Sequence, residues 1–485
     1  MARLAPRLVM ADAGGNVVDA PGLLMVCRRG GQWGLPRPDE LIPLPEESEL
    51  FLLPGRRAVG LDPESGVMEA VEGLAVAAFA APAHTLSAHP AYVTGADAPL
   101  LPLFAYGAVG FARGRFWVCA RRVDDDPRQQ FHKIPPARIE RGAQALLRDF
   151  PENRLIRHII ENCVRRYSCP AARNFALGRF EAPLPSSRAC NARCRGCISA
   201  KDADSPVAVT PQCRLAFTPS PEELVEVMRV HERRETATPI YSFGQGCEGD
   251  PLLNAELLIE SVRRFRGGPA PAAWSGHGTV NCNTNASRPE AVARLAEAGL
   301  TSLRVSLNSA LPGRYARYYR PTDYDFGDVT ESIRVARRLG VFVSLNLLYF
   351  PGVTDTEAEL EALARLVGEN GVSMIQWRNL NIDPEWYWRL MTESPEGAPL
   401  PLGGGDRRDA SAAVAEGAAS MGLASFMKRL RRLCPWLRYG YFNPWLGDRA
   451  ELTAPLPGEW RMPAPGGEGT AQRAFPDARG EKPQS

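Results

Sequence analysis

Nothing in the 485 residues approaches the roughly 18 consecutive apolar positions that a membrane-spanning helix needs. The opening Met1-Ala2-Arg3-Leu4-Ala5-Pro6-Arg7 lacks the apolar centre of a secretory leader. An excess of one charge is missing too. With 57 Lys+Arg against 55 Asp+Glu the net charge is +2, so the total sets up no field that recruits a polyanion, and nucleic acid is not indicated. Histidine is scarce: there are six, none close in sequence to the densest group of cysteines. The 11 cysteines mostly stand alone, which is not how a disulfide framework is built. These absences predict a reduced, cytoplasmic protein with no membrane partner. A hydrophobic content of 45% and 23% charged residues is ordinary for a globular chain, and this length predicts two or three domains.

Three of the cysteines do cluster. Cys190-Asn191-Ala192-Arg193-Cys194-Arg195-Gly196-Cys197 packs three thiols into eight residues. Three thiolates this close can grip one metal centre. A tetrahedral zinc site would need a fourth ligand from elsewhere in the chain. An iron–sulfur cubane would not, because each cysteine takes one iron and the fourth iron stays open to a small molecule. Both readings stand at this point.

Around the loop the sequence divides by pattern. Residues 1–135 read as a mostly β domain: Leu8-Val9-Met10, Leu23 to Cys27 and Leu50 to Leu53 are short apolar runs separated by turn residues. Phe104 to Phe111 and Phe116 to Ala120 flank Arg113-Gly114 as a hairpin. Cys27 and Cys119 fall inside such runs and read as buried structural residues. Residues 136–170 have apolar residues at helical spacing and form a helical connector, which Pro151 divides in two. Its arginines read as a solvated face. Cys163 and Cys169 close this region, and an auxiliary cluster there is the lesser reading.

From 171 to 395 the pattern alternates. Apolar runs at 174–181, 239–243, 279–283, 302–307, 341–348 and 372–377 are separated by amphipathic helical segments, which predicts an α/β fold with a parallel sheet. Ser220 with Glu223, Ser287 with Glu290, and Thr354 with Glu357 predict helix starts, while Gly299, Gly340 and Gly371 predict helix ends. Alternation alone does not separate an open doubly wound sheet from a barrel. Residues 396–454 read as an extension with one helix over 410–433, and 455–485 as a disordered tail.

The C-x3-C-x2-C spacing, with Asn191 after the first cysteine, resembles the cluster loop of the radical S-adenosylmethionine (radical SAM) enzymes. That resemblance implies a six-stranded partial (β/α) barrel, or partial TIM barrel, with Cys190, Cys194 and Cys197 holding a [4Fe–4S] cluster after the first strand. It extends to later strand ends. Gly244-Gln245-Gly246-Cys247-Glu248-Gly249-Asp250-Pro251 is similar to the family's Gly-Gly-Glu-Pro motif, which holds the methionine amine. Gly244, Gly246 and Gly249 would allow close approach, and either Glu248 or Asp250 would receive the amine. Asn283 and Asn285 resemble the Asn-Thr-Asn-Gly of the third strand, Ser306 and Asn308 the ribose and carboxylate site of the fourth, and Asn346 the adenine region of the fifth. One departure is Gly196, where the family commonly has an aromatic residue.

The implied activity is reductive cleavage of S-adenosylmethionine to a 5′-deoxyadenosyl radical that acts on an unidentified substrate, fed by an electron donor such as a flavodoxin or ferredoxin. The alternative is a non-catalytic iron–sulfur or electron-transfer protein on the same barrel. No residue is singled out as directly catalytic. Arg314 to Pro321 reads either as an anion or base clamp at the mouth or as a loop and helix start held by tyrosine packing. The aromatic stretch Asn379 to Trp388 reads as mouth lining or as core.

Overall fold

The computed structural model describes residues 4–201, 205–207, 210–392, 407–408, 419–449 and 451–463. Its N-terminal part is an antiparallel sheet whose long strands are Arg7–Ala11, Val17–Met25, Glu49–Leu61, Met68–Phe79, Gly107–Ala112 and Arg115–Arg122. The hairpin over 107–122 forms as the sequence predicts, with Val109 opposite Val118. Cys27 and Cys119 are both fully buried. A helix Pro136–Asp149, a short helix Arg154–His158 and a π-helical turn Ile159–Arg166 follow, with the break at Pro151.

Next comes a seven-stranded sheet whose strands we number β1 (Glu181–Leu184), β2 (Ile240–Phe243), β3 (Thr279–Thr284), β4 (Ser302–Leu307), β5 (Phe342–Tyr349), β6 (Met374–Asn379) and β7 (Arg438–Gly440). Every neighbouring pair is parallel, and the strands lie side by side in chain order. A doubly wound sheet reverses its order at a switch point. Here no reversal occurs. Right-handed crossovers in one direction keep the helices on one face, which is the order of a barrel laid open. The intervening helices are α1 (Pro221–Arg234), α2 (Ala255–Arg266), α3 (Pro289–Ala298), α4 (Pro312–Tyr319), α5 (Phe326–Arg338), α6 (Glu357–Asn370) and α7 (Pro384–Thr392).

Three sequence expectations are corrected. The first strand begins at Glu181, because residues 170–177 form a helix that buries Ala172, Phe175 and Ala176 and ends at Gly178 with φ 68°. Ser287 does not cap α3; its hydroxyl meets the Asn191 side chain at 3.0 Å instead. Helix α6 is capped by Thr356, whose hydroxyl accepts from Glu359 N, while Thr354 accepts from Phe350 N. Ser220 and Glu223 do form the expected reciprocal cap on α1.

A seventh strand and the segment after it were not anticipated. Helix α8 (Leu423–Leu433) covers the C-terminal half of the expected 410–433 helix, and residues 409–418 lie outside the described residues. Part of the expected disordered tail, 455–463, is packed, and 464–485 lie outside the described residues. Trp460, 9% exposed, lies over Gly368 of α6 and against Trp436, and its indole N–H donates to Leu433 O at 3.3 Å. Trp460→Ala should lower stability by on the order of 3 kcal/mol, read as a fall in the denaturation midpoint.

The N-terminal sheet docks where β6 ends. The Arg56–Asp383 pair, 2.8 Å apart and almost fully buried, joins the two parts, and the Thr85 hydroxyl donates to Trp377 O at 2.8 Å. Trp388 fills the space beside Gly30 and Gly31, and Tyr387 is buried against Phe350. The aromatic stretch after β6 is therefore core joining two parts of the molecule.

Candidate functional site

The three clustered cysteines lie on the long connection between β1 and α1, and that loop is stitched down on two sides. On one side the end of α4 and the loop after it hold it: Arg193 N donates to Tyr319 O at 2.9 Å, Arg195 N to Tyr318 O at 3.0 Å and Thr322 N to Asn191 O at 3.0 Å. On the other side the turn after β2 holds it, with Gly249 N donating to Ser187 O at 2.7 Å and Asp250 N to Ala189 O at 2.8 Å. The Asn191 side chain knots the arrangement. Its amide nitrogen donates to Asp323 Oδ1 at 2.7 Å and Ser287 Oγ at 3.0 Å, and its oxygen accepts from Asn285 Nδ2 at 2.8 Å.

Tyr315, Tyr318 and Tyr319 of α4 are all buried, and Arg314 is paired with Glu359 at 2.9 Å. Of the two readings of this stretch, tyrosine packing holds. Tyr318 also accounts for Gly196: a Cβ at that glycine would sit 2.8 Å from Tyr318 Oη. The aromatic ring beside the last cysteine comes from α4, a source that spacing within the loop could not reveal.

Cys190, Cys194 and Cys197 are half-buried thiols without disulfide partners. Burial, helped by the nearby Asp250 carboxylate, pushes Cys190 up to about 11, and burial raises Cys194 well above the ordinary thiol range. A cationic centre is what would offset that cost. Arg214 supplies part of it, with one guanidinium nitrogen 3.7 Å from Cys197 Sγ and another donating to Arg188 O at 3.3 Å. Sequence reasoning missed Arg214 because it lies in a long irregular connection with no periodicity.

Both acids of the turn after β2 are buried and already engaged. Glu248 accepts from Ser186 N at 2.7 Å, Ser187 N at 2.8 Å, Ser186 Oγ at 3.1 Å and Gln245 N at 2.7 Å. Its burial pushes the carboxyl up to about 7, although these bonds pull it down. Asp250 accepts from Leu252 N, Thr284 Oγ1 and Asn285 N at 2.7 to 3.0 Å. Each acid braces one strand end against another.

The glycines serve the same closeness. Gly244 has φ 76° and would place a Cβ 1.7 Å from Asn283 O; at Gly249 the clash is with Ala189 O at 1.9 Å, and at Gly246 with Ile198 at 2.7 Å. Gly249→Ala should push the turn off the cysteine loop. The expected cost is about 1–3 kcal/mol, together with reduced iron retention, measured by denaturation and iron analysis.

The remaining candidates fall into two groups. Asn283 is spent on the turn, donating to Phe243 O at 2.9 Å and Gly244 O at 3.1 Å, and Asn285 on Asn191 and Asp250. Asn308 and Asn346 are buried, yet each has a side-chain oxygen without a hydrogen-bond partner. Ser306, half-buried, stands in register with Asn346 across β4 and β5. Unfilled acceptors just past β4 and within β5 point to a donor that the protein itself does not supply.

Residues 184–367 match the model of the radical SAM superfamily. This segment is a radical SAM domain. Radical SAM domains bind a [4Fe–4S] cluster and S-adenosylmethionine. No curated protein gives a significant match to the chain. Among solved structures, HydG, a maturase of the [FeFe]-hydrogenase, is similar at 14% identity and TM-score 0.32, over 55% of this chain and 65% of that one. A radical SAM methyltransferase from Sphaerobacter thermophilus is similar at 16% identity and TM-score 0.32, over 52% and 62%. The chain thus spans less than two thirds of either.

The residues of the radical SAM domain fit these groups. Cys190, Cys194 and Cys197 are three free thiols on one loop, a donor set that offers one sulfur to each of three irons, and the orphaned oxygens of Asn308 and Asn346 lie in the same domain. No helix among the described residues is long and apolar enough to cross a membrane.

Proposed function

We propose that this chain is a radical SAM enzyme whose sheet forms a partial barrel, with Cys190, Cys194 and Cys197 as the three protein ligands of its cluster. The observation that carries this reading is the cysteine loop itself: three free thiols, held between the turn after β2 and the end of α4, within the matched domain. When bound and reduced, the cluster with S-adenosylmethionine supplies a 5′-deoxyadenosyl radical, which takes a hydrogen atom from a substrate.

The chain's own residues orient and enclose. The orphaned oxygens of Asn308 and Asn346, with Ser306 between them, would accept from the ribose hydroxyls and adenine amine. Glu248 and Asp250 act as positioning residues: because their oxygens are taken by protein donors, backbone carbonyls of the turn receive the methionine amine. Arg214 offsets charge on the thiolates. Tyr318, buried beside Gly196, excludes water from the last cysteine. A small reductant protein such as a flavodoxin or ferredoxin fits the need for single electrons.

Incubating the reconstituted chain with dithionite and S-adenosylmethionine should release 5′-deoxyadenosine and methionine. A fully loaded cluster that yields neither would favour the non-catalytic iron–sulfur reading.

A further inference from the structure

A second group of soft ligands lies behind the turn after β2. His158 ends the helix Arg154–His158, Cys163 sits in the π-helical turn that follows, and Cys247 belongs to the turn after β2. One ligand atom from each lies within 4.8 Å of the other two, and the two sulfurs are 3.9 Å apart. That separation is far too long for a disulfide of about 2.05 Å. It matches the roughly 3.8 Å between two thiolates bound tetrahedrally to one zinc ion.

Other observations agree with a ligand there. His158 Nε2 is buried without a hydrogen-bond partner, while Nδ1 lies 3.2 Å from the side-chain amide nitrogen of Asn162. For Nε2 to bind an ion, Nδ1 must carry the proton and donate it, which requires the Asn162 amide to turn so that its oxygen faces the ring. The backbone between His158 and Cys163 is π-helical over Ile159–Arg166, a wider winding than an α-helix and one found mostly at functional sites.

We propose that His158, Cys163 and Cys247 bind a divalent ion of the zinc class as its three protein ligands. This site is separate from the cluster loop, and no step of the cofactor chemistry needs it. The ion would staple the connector to the turn that carries Glu248, fixing that turn from behind.

The test is metal analysis of the full-length chain after anaerobic cluster reconstitution. About one zinc per chain is expected beside about four irons. The Cys190→Ala/Cys194→Ala/Cys197→Ala variant should lose the iron and keep the zinc. Cys163→Ser, Cys247→Ser and His158→Gln should each lose the zinc. Should the cysteine variants fail to fold, His158→Gln on the half-buried histidine decides the matter. Cobalt(II) added to the zinc-stripped chain should give the visible bands of a tetrahedral thiolate complex, absent in His158→Gln. Absence of zinc and of cobalt bands in the full chain would overturn the proposal. So would zinc that persists in all three single variants, excess iron in place of zinc, or a Cys163–Cys247 disulfide in freshly isolated protein.

Discussion

Replacing any one of Cys190, Cys194 or Cys197 by Ala will remove the visible iron–sulfur absorbance and reduce cleavage of S-adenosylmethionine to background. On the proposed assignment each supplies one of only three protein bonds to the cluster, and Ala offers no donor in its place. Removing a residue that merely supports a metal ligand typically costs 10- to 100-fold, so loss of a ligand itself should exceed about 100-fold. The fold should survive. All three are half-buried thiols, and the loop is held by backbone hydrogen bonds of Asn191, Arg193 and Arg195 that remain in the variants. Iron content per chain, with circular dichroism as the control for folding, checks this directly. A single variant that retains about four irons would remove that cysteine from the ligand set.

Glu248→Gln will destabilise the chain before it affects cofactor affinity. The carboxylate receives three backbone N–H groups and one hydroxyl from two strand ends. A glutamine in its place must turn its own NH2 toward one of those donors, leaving a buried N–H without an acceptor. The expected cost is on the order of 2–4 kcal/mol, seen as a lower denaturation midpoint and weaker iron retention. Asp250→Asn should also destabilise, since each of its oxygens accepts a backbone N–H, one from Leu252 and one from Asn285, although the Thr284 hydroxyl can rotate to accept from the new amide. If Glu248→Gln keeps the wild-type midpoint and loses only affinity for S-adenosylmethionine, the carboxylate contacts the amine after all, as the motif alone suggested.

Those two acids also show where reading the chain stopped. The Gly-rich turn was legible as a turn, since only glycine tolerates a φ near 76° at Gly244 and a carbonyl 1.9 Å from the Cβ position at Gly249. Which carboxylate did what was not legible. Their partners, Ser186, Ser187, Thr284 and Asn285, come from other strand ends, and no local pattern encodes such pairings. Asn308 and Asn283 make the same point: both are polar residues at or just past a strand end, yet one keeps an unfilled oxygen and the other is consumed by Phe243 and Gly244.

The sequence by itself determined the parallel α/β alternation, the helix breaks at Pro151 and Gly371, and the 107–122 hairpin. These depend on periodicity, capping and φ preference, all of which act within a few residues. Only the tertiary structure decided the strand order without reversal, the added seventh strand, the burial of the Arg314–Pro321 tyrosines, the placing of Tyr318 against Gly196, and the meeting of His158, Cys163 and Cys247. Each of these brings together residues dozens to hundreds of positions apart. Their contact depends on how sheets and helices pack, and single-chain periodicity carries no record of which distant face a side chain will meet.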